Sequence, residues 1–298
     1  MSSVFASKED EEQSHLEFAA NTEKYMYDDA VEELRENSRG LIVEKLTSIK
    51  HHVNTWGLSS NKYFAENLTS KMTNLNKLDF SDTIGAQHRS DMPMGIESIV
   101  GVVANQRIVE INVENNALGP DGLRCLEAFM QITKSFEILK ATNCALGDKS
   151  AQMILAAHQK NPDFKLKRLE AGSNKFGEEG MKALNQACRQ MGSLTHIHLQ
   201  DSLENDDNAL TSLLSDLHEC QSLTYLDISN NSGANLATTA IINTFTNTHS
   251  LSHLNISNLQ LTPDNQSAII QGLLAKLSST FNLTSSLKTL ICKDTFSS

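Results

Sequence analysis

A short pattern that returns at a near-constant interval constrains this chain more than anything else in it. In Val109–Gly122, VEINVENNALGPDG, the apolar residues Ile111 and Val113 alternate with polar ones and are followed by Asn116, Leu118 and Gly119. The same arrangement returns in LKATNCALG from Leu139 and in LEAGSNKFG from Leu169. One copy of such a unit cannot bury its apolar face, whereas stacked copies can, so the recurrence dictates a solenoid.

Taking the first apolar residue of each pair as the origin, the copies start at Ile49, Leu78, Ile111, Leu139, Leu169, Ile197, Leu226, Leu254 and Leu290, at intervals of 29, 33, 28, 30, 28, 29, 28 and 36. A period of 28–29 belongs to the long, helix-containing class of leucine-rich repeats. Five positions beyond each origin lies the slot whose side chain caps the turn between coils: Asn54, Thr83, Asn116, Cys144, Asn174, Ser202 and Asn231. Small polar or thiol groups suit it because turn amides and carbonyls buried between coils need partners. Cys144 is thereby a repeat residue and not a nucleophile.

Between strands the apolar spacing becomes helical. Gly122–Lys134 places Leu123, Leu126 and Met130 on one face, Lys149–Lys160 does so with Met153, Ile154 and Ala157, and Ala209–Cys220 with Leu210, Leu213, Leu214 and Leu217. Asp121, Asp148, Glu178, Glu179 and Asp264 sit where helix N-termini favour acids. The expected fold is α/β, a horseshoe-shaped leucine-rich-repeat solenoid of about nine repeats, with parallel strands on the concave face and helices on the convex face. Residues 1–45 are expected to form an acidic N-terminal tail and helical cap, and 46–298 the solenoid with a C-terminal cap. From His15 to Leu46, the spacing of Leu16, Phe18, Tyr25, Tyr27, Val31 and Leu34 predicts one or two helices. The tail Ile291–Ser298 is too short for a further repeat.

Charge and motif content narrow the function. The net charge is −11, and residues 1–45 hold 12 Asp and Glu against 5 Lys and Arg, or −7, leaving −4 for a nearly neutral repeat region. That balance argues against nucleic acid, whose phosphates require clustered cations. Five cysteines without a CxxC pair, and no apolar signal or spanning stretch, point to reduced thiols in a cytoplasmic protein, at or away from the nuclear envelope, with no membrane association. GxxxxGK[ST], GxGxxG, HExxH and GxSxG are absent, so neither a cofactor nor a metabolic reaction is expected. His196 and His198 share one strand face with His253 nearby, but no carboxylate or cysteine motif completes a ligand set, and no metal is expected.

Side chains alternate across a strand, so two columns face the concave surface. One reads Lys50, Asp79, Asn112, Lys140, Glu170, His198, Asp227 and Asn255; the other reads Lys77, Glu110, Ile138, Arg168, His196, Tyr225 and His253. Mixed signs fit a protein partner better than a small molecule. The 33-residue interval after Leu78 places extra chain in Thr83–Gly95, TIGAQHRSDMPMG, expected as a loop on one rim.

FSDTIGAQHRSDMP, then EINVENNALGPDGL, LKATNCALG and LKRLEAGSNKFGEEG, resemble in order and spacing the leucine-rich domain of Ran GTPase-activating proteins, over roughly Leu46 to Leu199. The resemblance implies a monomer that binds a Ran-like GTPase in its GTP form along one rim and stimulates hydrolysis, a regulator and not a metabolic enzyme. It implies an arginine in the long loop; here Gln87 stands at that position and Arg89 two residues on, making Arg89 the candidate for its role. A glutamine lacks the guanidinium charge. Of the family's paired asparagines, Thr142 and Asn143 keep the second, and the arginine of the family's AGRN is Ser173. The implied catalytic candidates are therefore Arg89, Gln87 and Asn143. The implied partner-binding residues are Ser81, Asp82, Asn112, Glu114, Lys140, Thr142, Glu170, Ser173, Lys175 and His198. The alternative is a non-catalytic scaffold or inhibitor that uses its concave face, as ribonuclease inhibitors do with similar repeats.

Overall fold

The computed structural model describes residues 15–17, 21–25, 31–32, 43–50, 54–56, 58–67, 69–82, 91–203, 208–279 and 287–295. Ten three-residue strands form one open sheet, each paired in parallel with its neighbour. In order they are β1 (His15–Glu17), β3 (Ser48–Lys50), β5 (Lys77–Asp79), β6 (Glu110–Asn112), β7 (Ile138–Lys140), β8 (Arg168–Glu170), β9 (His196–His198), β10 (Tyr225–Asp227), β11 (His253–Asn255) and β12 (Thr289–Ile291). Parallel neighbours need a crossover, and helices supply it. Among them are α1 (Leu58–Asn67), α2 (Asp91–Val102), α3 (Arg124–Met130), α4 (Asp148–Lys160), α5 (Glu178–Met191), α6 (Ala209–Leu214), α7 (Ala234–Asn247) and α8 (Pro263–Ser279).

The register matches the repeat count. Ile49 stands opposite Leu78, Leu78 opposite Ile111, and so on to Leu254 opposite Leu290. From Ile49 to Leu254 these origin residues are at most 2% exposed and form the inner wall of a continuous core. The apolar helix faces close it from outside. Phe136 meets Phe129 edge-on at 5.5 Å and stacks on Phe164 at 6.0 Å, tying two adjacent coils together.

Two expectations change, while the ninth origin, Leu290, lies on a strand as expected. The N-terminal segment contributes strand and not helix at His15–Glu17, because Leu16 fills an origin position opposite Ile49 and is 1% exposed. Asn21–Tyr25 (β2) likewise pairs with Asn54–Trp56 (β4), making a second, two-stranded sheet. Asp91–Gly95, expected within the long loop, opens helix α2, with Pro93 in a first turn that needs no intrahelical N–H bond. The C-terminal tail carries one more strand, Thr289–Ile291, and its turn; Thr295 is buried and donates to Ile256 O at 2.6 Å.

The slot five residues beyond each origin behaves as the pattern requires. Asn174 Nδ2 donates to Ala141 O (2.9 Å), Ala171 O (2.8 Å) and Gly172 O (3.1 Å), while its Oδ1 accepts from the N–H of Cys144 (3.1 Å) and Leu146 (3.0 Å). Asn231 repeats this with Leu199 O at 2.8 Å and with the N–H of Ser202 at 2.8 Å and of Leu203 at 3.1 Å. Asn116 Nδ2 bridges Phe80 O and Val113 O, both at 2.8 Å, and Cys144 Sγ donates to Val113 O at 3.0 Å. Leu259, fully buried, interrupts this polar ladder before Thr295 resumes it. Thr83 of that series falls outside the described residues.

Candidate functional site

Where each strand leaves the sheet, the backbone turns sharply, and it does so through one recurring conformation. Four residues after the origin, φ is positive at Asp82 (52°), Asn115 (58°), Asn143 (55°), Ser173 (53°), Asp201 (52°), Asn230 (59°), Asn258 (52°) and Asp294 (54°). Asn and Asp tolerate this left-handed region better than other side chains with a Cβ, which explains seven of those eight identities. From Asp82 to Asn258 the N–H groups of this column reach the neighbouring coil: Asp82 N donates to Glu114 O (2.9 Å), Asn143 N to Gly172 O (2.8 Å) and Ser173 N to Gln200 O (2.7 Å). The side chains stand along the edge of the sheet, and Asn143 Nδ2 donates to Asn115 Oδ1 at 3.1 Å.

Thus Asp82, Asn143 and Ser173 occupy one rim column, and Ser81, Glu114 and Thr142 the column before it. Lys175 is exposed two residues beyond Ser173. Parallel strands lie about 4.8 Å apart, so these residues form one continuous edge over four coils. The chain leaves that edge at Asp82 for the segment holding Gln87 and Arg89, both outside the described residues. The residue type of Asn143 is accounted for by its backbone, a cause the family comparison had left hidden.

The concave column next to the rim divides into two kinds of position. At Asp79, Asn112, Asp227 and Asn255 the side-chain oxygen accepts the N–H two residues on, at 3.0, 2.9, 2.9 and 3.1 Å. These Asx turns tie the side chain to its own strand end. Asn112, expected to face a partner, is 8% exposed and held in this way. The three coils between carry Lys140, Glu170 and His198, which cannot make that short turn.

Lys140 and Glu170 instead meet an opposite charge, and the His198 ring lies beside the Asp227 carboxylate. Glu110 Oε1 lies 3.1 Å from Lys77 Nζ and 3.3 Å from Lys140 Nζ, spanning three coils. Glu170 Oε1 lies 2.5 Å from Arg168 Nε, and His198 Nε2 lies 3.5 Å from Asp227 Oδ2. At the centre of the concave face Lys77, Glu110, Lys140, Arg168 and Glu170 thus pair with one another. Glu110, Arg168 and Asp227, which the sequence placed in the concave columns but not among the partner-binding residues, are tied to that set by these pairings.

Among the described residues, no group of three or more His, Cys, Asp or Glu could hold a metal ion. Burial pushes the Cys144 and Cys125 thiols up to about 12, so neither serves as a nucleophile near neutral pH. Among the described residues, no helix is long and apolar enough to cross a membrane.

With the strand ladder, the turn column and the repeat period on the page, comparison with known proteins decides the class. Ran GTPase-activating protein 1 of Xenopus laevis is 30% identical over 183 residues, covering 57% of this chain and 31% of that protein. The ribonuclease inhibitor of Sus scrofa is 31% identical over 129 residues, covering 43% of this chain and 28% of that protein. This chain is a leucine-rich-repeat protein. It spans about a third of the length of the curated relatives it matches. No family model matches this leucine-rich-repeat chain. Among solved structures, a Listeria monocytogenes internalin covers 94% of the chain and is itself 80% covered, at 13% identity and TM-score 0.39. A tropomodulin C-terminal domain of Caenorhabditis elegans covers 62% of the chain and is 95% covered, at 17% identity and TM-score 0.37. The leucine-rich-repeat fold rests on the ladder itself and not on these overlaps.

Proposed function

We propose that this chain binds a Ran-like small GTPase in its GTP form along the rim of its N-terminal coils and stimulates GTP hydrolysis. The observation that carries this reading is the 30% identity over 183 residues to Ran GTPase-activating protein 1. Supporting it, Asp82, Thr142, Asn143, Ser173 and Lys175 share the edge from which the segment holding Gln87 and Arg89 departs. In this reading the rim docks the switch surfaces of the GTPase, Asn143 contacts it, and Arg89 contributes positive charge toward the phosphates. Stabilising charge on the transferred phosphoryl and ordering the attacking water are what a GTPase needs from a helper. The reading requires neither a cofactor nor a metal held by this chain.

Single-turnover GTP hydrolysis by Ran, with and without micromolar protein, tests the reading. A faster rate that is lost in Arg89→Ala supports it; an unchanged rate with wild-type protein sinks stimulation. Retained Ran-GTP binding without acceleration would reduce the reading to a docking role.

The ribonuclease-inhibitor match, 31% over 129 residues, favours a second reading in which the concave face holds a protein without catalysis. Lys140→Ala and Glu170→Ala would then weaken the complex more than Asp82→Ala or Ser173→Ala.

A further inference from the structure

The two edges of the long sheet are finished differently. At the first edge, Leu16 of β1 is buried. At the last edge, Leu290 of β12 is only half-buried, and Ile291 beside it is 46% exposed. Terminal repeats ordinarily carry a polar outer face, so an apolar one calls for a partner.

The helix behind that edge shows which side is open. A Cβ at Gly272 would meet Ile242 at 2.9 Å and Phe245 at 3.3 Å, so Gly272 marks where α8 touches α7. Ile270 and Leu274 stand two residues to either side, each about 160° around the helix from that contact. They are 43% and 57% exposed. Leu213 and Leu217 hold the same places after the origin Ile197, sixteen and twenty residues on, and the following coil buries them fully. Ile270 and Leu274 thus occupy positions that a further layer covers in the interior of the solenoid. Ser267 and Gln271, on the same side of α8, are uncharged.

The strand edge adds backbone groups to this apolar strip. Thr289 N–H donates to Ser252 O at 3.0 Å, and Ile291 O accepts from Ile256 N–H at 2.8 Å, so these alternate residues face β11. The N–H and C=O of Leu290 therefore point the other way, where no strand stands among the described residues.

An extended peptide could pair with that edge but would leave the helix strip bare. The occupant must bring a strand and a helix in the same two layers, and a second copy of this chain does so through a two-fold axis at Leu290, normal to the sheet. The two β12 strands then run antiparallel, the pairing that an open edge templates, and the two α8 helices pack side by side. In that register Thr289 of each copy faces Ile291 of the other, and the two Lys288 residues stay about 13 Å apart along the strands, so no like charges stand directly opposite.

We infer that β12 and α8 form the interface of a two-fold dimer in which each copy continues the sheet and the helix layer of the other. This departs from the monomer that the family resemblance implies. The interface lies several coils from Asp82, Asn143 and Ser173, so dimerisation and GTPase stimulation are read separately.

Sedimentation equilibrium of the full chain is expected to give twice the chain mass at micromolar concentration. A monomer there leaves the face to another protein and overturns the inference. Ile270→Glu/Leu274→Glu is expected to weaken self-association at least ~30-fold with an unchanged circular dichroism spectrum. Ile132→Glu, at a site as exposed as Leu274 but on another coil, should leave it intact. Wild-type self-affinity in the double variant, or an equal loss in Ile132→Glu, overturns the inference. Should the double variant misfold, Ile291→Asp serves, with the same loss expected and wild-type self-affinity again fatal. In a mixture of light and 15N-labelled chains, an amine cross-linker spanning about 13 Å is expected to join Lys288 of one copy to Lys288 of the other. Links between copies found only elsewhere refute this geometry.

Discussion

Two neighbouring columns of this solenoid use nearly the same residues to opposite ends. Asn174 sits 5% exposed and makes five hydrogen bonds that join two coils. Asn143 belongs to the column one step earlier in the repeat, is exposed, and has a backbone at φ 55° with one side-chain bond to Asn115. Burial separates them: an amide away from water must be fully partnered, whereas an exposed one needs only to tolerate its backbone. An asparagine in such a chain therefore has three meanings, a rung, a turn or a contact, and the residue type cannot say which.

That contrast can be broken or sharpened experimentally. The largest effect is expected at Cys144, which takes the rung position in its coil. With its thiol pushed to about 12, it should react with a thiol probe at pH 7.5 about a thousandfold more slowly than the half-exposed Cys292, as mass spectrometry would follow. Comparable rates would remove it from the buried ladder.

Next comes Asn174→Ala, expected to cost about 3 kcal/mol in urea unfolding, because it strands the amides of Cys144 and Leu146 and removes the side-chain donor to Ala141 O. A cost under about 1 kcal/mol would mean that water replaces the rung. Asn143→Ala should cost only about 1 kcal/mol, the penalty of a left-handed alanine, and Asn143→Gly less. If instead both leave stability intact but abolish GTPase stimulation, the exposed column is a contact surface as well as a turn.

The smallest effect is expected at Ser173→Gly. Relief at φ 53° against added chain entropy leaves a change within about 0.5 kcal/mol, read as a Tm shift of a few degrees at most.

The architecture was legible because its signal is redundant. Nine origins, from Ile49 to Leu290, all fall on the central residue of a strand, and Cys144 was readable as a rung from spacing alone. Leu16 was missed as an origin because it stands 33 positions before Ile49, off the 28–29 period, and because Leu16, Phe18 and Tyr25 also fit a loose helical spacing. The left-handed column was present in the sequence, as Asn, Asp or Ser four places after every origin from Leu78 on, but family resemblance drew Asn143 and Ser173 toward function first. The Asx turns at Asp79 and Asn112 could also have been suspected from residue type. The Glu110 bridge could not, since it depends on which long side chains meet across coils.

The leucine in the polar ladder carries a mechanical consequence. Every rung of Asn, Ser or Cys clamps one coil to the one before it, and at Leu259 that clamp is missing. Across that step the coils are joined by the pairing of β10 with β11 and by backbone bonds such as Ile228 N–H to Asn255 O, while Thr295 fastens the last coil to the one before it. Drawn from its C-terminus in an optical trap, the chain should shed its last two coils together at low force and pause when the load reaches Asn231. The solenoid has a tear line, and a single apolar side chain sets where it runs.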